Sequence, residues 1–168
     1  MKKTKTIIIA VIIMILISET IFTIWNKYTI KEDFKKVKSD FEIVNKFLID
    51  YYDKNCEEEC NKDENITLYI NKTENKIKIS NLEIELNDDI QNSIMNIEKY
   101  YDSKVSGFNP DRMTLISINK ETIKYFSEIH PPRVIYYRNT KPSKKEIHEN
   151  KLEHLSDNWY KTKYEYHS

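Results

Sequence analysis

The sequence predicts an α+β fold. An N-terminal transmembrane helix continues into a long amphipathic helix, followed by a mostly antiparallel sheet of about five to seven strands with a second helix. Three observations predict it. An apolar run, Ile7 to Trp25, sits behind Lys2, Lys3 and Lys5. A seven-residue apolar stripe follows from Ile30 to Tyr51. After residue 65 the apolar residues recur every second position.

Nineteen helical residues from Ile7 to Trp25 would rise about 28 Å, close to the hydrocarbon core of a bilayer. Glu19 interrupts the run. A central carboxylate costs about 3 kcal/mol on the insertion scale, and the surrounding Ile, Val, Leu and Phe residues each return roughly 0.3–0.6 kcal/mol. Glu19 reads as a tolerated acid near the interface, with an intramembrane polar contact as the sharper reading. Ser18-Glu19-Thr20 is a poor cleavage site, so an uncleaved signal anchor is expected rather than a removed signal peptide. The domains expected are residues 1–28, a cytoplasmic tip and transmembrane signal anchor, and 29–168, an extracytoplasmic α+β domain. The localisation that follows is a single-pass protein of the cell membrane.

Ile30, Phe34, Val37, Phe41, Val44, Leu48 and Tyr51 step by four and three, with Lys, Asp and Glu on the other faces. The stripe predicts a helix from about Thr29 to Lys54. It can pack on the domain's own sheet or form a short coiled-coil seam between two copies; its modest length favours the first. Strand patterns follow at 65–71, 76–80 and 82–87, with a phase slip at Ser80-Asn81 that asks for a bulge or tight turn. The segment from Asp88 to Lys104 places Ile90, Ile94, Ile97 and Tyr101 on one helical face, with Asn87 or Asp88 as cap and Gln91 at capping-box distance from Asp88. Gly107 to Asp111 reads as a loop. Three more strands follow, at 112–118, 122–129 and 133–139, the last two separated by Pro131 and Pro132. The stretch 143–155 is ambiguous, although Ser143 and Glu146 form a capping box for a short helix. Tyr160, Thr162, Tyr164 and Tyr166 alternate in a closing strand.

Composition excludes several functions. The net charge is zero, and removing Lys2, Lys3, Lys5, Lys27 and Glu19 leaves a slight acid excess, which disfavours nucleic acid as a partner. Gly107 is the one glycine, so neither a phosphate loop nor a dinucleotide fingerprint can form. His130, His148, His154 and His167 show no paired ligand spacing, and Asn61, Asp63 and Asn65 begin a calcium loop that fails at Ile66 and Lys72. No nucleophile elbow is present. The expectation is therefore a non-enzymatic domain without cofactor or metal that binds a protein or envelope partner. The alternatives are a self-assembling element built on the 30–51 helix, with a homodimer as one form, and a hydrolase whose acid–base pair carries no local motif.

The residues singled out for partner binding are Arg133, Tyr136, Tyr137, Arg138, Trp159 and Tyr160, where aromatic faces and cations cluster. The same residues also suit ordinary cross-strand pairs. Cys56 and Cys60 are the only cysteines. Zinc would need more ligands, and the acidic neighbours Glu57, Glu58 and Glu59 disfavour a reactive thiolate. A local disulfide is the expectation for a domain outside the cell, with two free thiols if a helical turn aims the side chains apart.

A basic tip, one span, a Lys-rich amphipathic helix and a small α+β domain ending near Asn158-Trp159-Tyr160 resemble the small single-span, uncharacterised envelope proteins of low-GC Gram-positive bacteria. That resemblance is architectural and implies no activity. Pilins and pseudopilins also run an apolar helix into an antiparallel sheet. Their processing site needs a glycine before the apolar helix and an early glutamate; here no glycine precedes Ile7, and Glu19 comes late.

Overall fold

The computed structural model describes residues 2–56, 65–73, 76–80, 86–103, 113–127 and 134–162. Among them three helices and seven strands alternate in the order α1 (Lys2–Asn55), β1 (Ile66–Thr73), β2 (Lys76–Ser80), α2 (Asp88–Ser103), β3 (Met113–Ile118), β4 (Thr122–Ser127), β5 (Val134–Tyr137), α3 (Lys144–Glu149), β6 (Leu152–Ser156) and β7 (Trp159–Thr162). The chain divides into two compact units, Met1–Lys36 and Val37–Ser168.

In the first unit, Val11 to Leu16 with Ile17 and Ile21 are all exposed. The Ser18 and Thr20 hydroxyls donate to the carbonyls of Ile15 and Leu16 within the helix. Further along, Lys35 pairs with Glu32 and Lys36 with Asp33 at the surface. The expectation of a transmembrane signal anchor is corrected: among the described residues no helix is long and apolar enough to cross a membrane. Ser18, Glu19 and Thr20 lie within the apolar run and lower its hydropathy. The single-pass membrane localisation is corrected with it. The intramembrane contact read for Glu19 presupposed that span; Glu19 is an exposed helical residue.

The second unit is an antiparallel sheet in the order β2-β1-β3-β4-β5-β7-β6. The α+β class holds. Strands β3, β4 and β5 form a meander, β1–β2 and β6–β7 are hairpins, and β7 lies between β5 and β6. Leu68 faces Ile116, Ile116 faces Tyr125 and Tyr125 faces Val134, so these residues share one side of the sheet. Ile123, Tyr136 and Trp159 lie on that side too, by the pairs Ile123–Tyr136 and Tyr136–Trp159.

Two helices supply the cover for this first face. Phe41, Val44 and Leu48 of α1 are fully buried, as are Ile94 and Ile97 of α2. The Phe41 ring meets Tyr125 edge-on at 4.8 Å and Trp159 at 5.2 Å. The heptad stripe is thus spent inside the fold at these three positions. Helix α2 lies against β2 and β3. It is capped by Asn87, whose Oδ1 accepts the Ile90 amide at 2.9 Å. Gln91 does not complete a capping box but donates to the Leu86 carbonyl at 2.8 Å. Asp88 and Asp89 in the first turn suit the helix dipole.

On the other face, Ile135, Tyr137, Leu152 and Tyr160 form a separate buried cluster with Ile147 of α3 packed against it. Ser143 caps α3 by accepting the Glu146 amide, as its sequence suggests. The ambiguous stretch resolves into this helix and the edge strand β6, joined at Lys151 with a left-handed φ of 48°. Asp157, at φ 44°, turns the chain between β6 and β7. Asp tolerates this region better than most residues because its short polar side chain bonds locally. Here it accepts the Ser156 hydroxyl at 3.0 Å and the Lys38 ammonium at 2.6 Å.

Several expectations fall outside the described residues: most of the strand at 82–87, the loop at 107–111, Pro131 and Pro132, and Tyr164 and Tyr166. Register shifts occur between Met113 and Leu115 and between His154 and Ser156. Cys56 closes α1 with its amide bonded to the Tyr52 carbonyl and is disulfide-bonded. Cys60 lies outside the described residues, as do Glu57, Glu58 and Glu59.

Candidate protein-binding groove

Alternation along a strand points neighbouring side chains to opposite faces, and this divides the aromatic cluster read from the sequence. Tyr136 and Trp159 lie on the first face, Tyr137 and Tyr160 on the second. Trp159 is 1% exposed, and Tyr137 and Tyr160 are 6% exposed. These three are core residues. Burial and a hydrogen bond to Glu146 push the Tyr137 phenol far above its ordinary range, so it remains a neutral donor to that carboxylate at 2.7 Å.

Arg138 is also committed within the fold. It donates to Asp53 at 2.8 Å and to the Asn119 carbonyl at 3.2 Å, and its guanidinium stacks over the Tyr52 ring at 5.3 Å. These contacts tie the end of β5 to α1. Arg133 lies outside the described residues. Of the members of this cluster that are described, Tyr136 lines a concave surface.

That surface is a groove of about 280 Å³ lined by Glu42, Asn45, Lys46, Ile49 and Asp50 of α1 and by Tyr136 of β5. The helix supplies successive turns of one face, because positions three and four apart are neighbours. Tyr136 is held from below by Trp159, with ring centroids 4.8 Å apart. Asn45 is buried and accepts the Tyr125 hydroxyl at 2.6 Å. Burial holds the Tyr125 phenol well above its ordinary range, so it stays protonated and donates. With its oxygen taken, Asn45 can offer its amide nitrogen to the groove.

The rim carries both signs of charge. Glu42 is paired to Lys38 at 3.4 Å. Lys46 and Asp50 are exposed, and neither has an ion-pair partner among the described residues. Ile49 is half-buried between them. The lining can thus supply an apolar contact, an amide donor, a cation and carboxylates. Its volume lies below the roughly 300–1,000 Å³ of drug-sized ligand pockets, and it suits a protruding side chain better than an enclosed small molecule.

The α1 side of the groove was missed by the reading of the sequence. The one signal available was the spacing of Glu42, Lys46 and Asp50, which alternate in sign at four-residue steps. Among the described residues no group of three or more His, Cys, Asp and Glu side chains could hold a metal ion. His154 is exposed, with Nε2 3.0 Å from the Asp157 carbonyl. Compared with family models, with curated proteins and with solved structures, the chain matches none.

Proposed function

We propose that this chain is a non-enzymatic protein-binding domain whose recognition surface is the groove between α1 and β5. The observation that carries the reading is a juxtaposition. Uncommitted charges of both signs, Lys46 and Asp50, flank an apolar strip of Ile49 and Tyr136 on a rigid support. Protein interfaces concentrate binding energy in such places, where an anchored aromatic is ringed by polar groups. The support is rigid because the floor is stacked on Trp159 and the wall is bonded to Tyr125.

Selection from a random peptide library displayed on phage tests this reading. Enriched peptides should carry an aliphatic or aromatic anchor beside charged residues. Binding should weaken at least roughly tenfold in Tyr136→Ala, the range expected for an interface anchor. It should be unchanged in Lys120→Ala, which alters an exposed residue outside the groove. No enrichment, or peptides that bind Tyr136→Ala equally well, would sink the proposal.

A further inference from the structure

Along α1, residues four apart form a surface ridge, and one ridge reads Glu42, Lys46, Asp50, Lys54. All four side chains are exposed. Their charges alternate −, +, −, +. Reversed, the row becomes +, −, +, −, so the ridge is the electrostatic complement of itself when a second helix runs antiparallel to it.

We infer that the partner of this groove is a second copy of the same chain, docked antiparallel along α1 with Lys46 of each copy opposite Asp50 of the other. The inference rests on the groove being a protein-binding surface and names what fills it. In this register Glu42 also faces Lys54 of the second copy, so four opposite-charge pairs form about one two-fold axis. Ile43, 43% exposed, and Ile49 lie beside the ridge and supply apolar area.

Other registers are disfavoured by the same charges. Sliding the second copy by one turn in one direction places Lys46 against Lys46 and Glu42 against Asp50. Sliding it the other way places Asp50 against Asp50 and Lys46 against Lys54. A parallel pair in register opposes every charge to its own kind. A parallel pair offset by one turn is attractive but leaves an unmatched end on each copy, so it does not close. The antiparallel arrangement both closes and pairs every charge. It docks along the α1 rim of the groove, at Glu42, Lys46 and Asp50, and leaves the stripe untouched, because Phe41, Val44 and Leu48 are buried within the fold.

Charge reversal provides the test, read by sedimentation velocity on the full chain. Lys46→Glu sets a carboxylate against Asp50 of the second copy, twice, and Asp50→Lys sets two lysines together. Each should raise the dimer dissociation constant at least roughly tenfold, as expected for like charges forced together at an interface. The double variant Lys46→Glu with Asp50→Lys restores opposite pairs and should return to within about threefold of the parent chain. Mixing the two single variants should yield a heterodimer, which also shows that both fold. A monomeric parent chain, a dimer indifferent to both reversals, or a double variant no better than the singles would overturn the inference. If a monomeric parent still binds displayed peptides through Tyr136, only the self-docking partner is lost. If that binding is absent too, the groove reading falls as well.

Discussion

The two faces of the sheet are built differently. The first is covered by α1 and α2, and one of its ring contacts joins Phe41, near one end of the unit, to Trp159, near the other. The second is covered at one end by a six-residue helix, and every member of its cluster falls between Ile135 and Tyr160. One face is closed by contacts between distant parts of the chain, the other by a local attachment. Global stability should therefore depend on the first face, while the second can open without the unit unfolding.

The largest effect is expected at the centre of the first face. Phe41→Ala removes a fully buried ring from Tyr125 and Trp159 and should cost about 3–5 kcal/mol. Urea denaturation followed by tryptophan fluorescence would measure it. A loss below about 1 kcal/mol would show that α1 is not the main cover of that face.

On the second face, Ile147→Ala should cost about 1 kcal/mol, since Ile147 is half-buried and α3 is short. Hydrogen exchange should show loss of protection confined to α3 and β6. Equal loss across β1, β3 and α2 would break the comparison, because the attachment would then be part of the global unit.

The smallest effect concerns the Lys38–Asp157 ion pair, which links α1 to the β6–β7 turn. The hydrogen bond from Lys38 holds the Asp157 carboxyl below the ordinary carboxylate range, and the hydrogen bond to Asp157 raises Lys38. A depressed carboxyl contributes above its unfolded value and loses that contribution as pH falls through the folded one. A raised lysine contributes below its unfolded value and loses it as pH rises through the folded one. The pair therefore acts across neutral pH and weakens at both extremes. Carboxyl resonances followed by NMR should show Asp157 titrating higher in Lys38→Met, with little change in unfolding midpoint because the pair is solvent-screened. No movement of that titration would remove Lys38 as its cause.

The same division explains which features were legible in the sequence. The first face was readable because its periods are regular: Phe41, Val44 and Leu48 keep a helical stripe, and Leu68 with Ile70 keeps an alternation. Strand β6 was not, because its register shift breaks the alternation and its buried residues are Leu152 and Leu155, three apart. Nor does any glycine announce the turn at Lys151. The apolar run at the N-terminus suggested a membrane span, but among the described residues no helix is long and apolar enough to be one. At the candidate site, Tyr136 was readable from its aromatic neighbourhood, yet Tyr137, Trp159 and Tyr160 belong to the core. Aromatic composition cannot separate those cases, because strand residues of both kinds look alike until the pleat assigns them to a face. The α1 wall was hidden because Glu42, Lys46 and Asp50 sit on what reads as an ordinary solvated face, far in sequence from Tyr136.

The position of β7 between β5 and β6 constrains the order of assembly. Strand β6 pairs only with β7, so it has no neighbour in the sheet until β7 is in place. Strand β6 cannot join the sheet, and β5 remains an edge, until Trp159 to Thr162 slot between them. The last strand described is thus a keystone set late. Until it arrives, Phe41 and Tyr136 lack the Trp159 ring against which both finally rest.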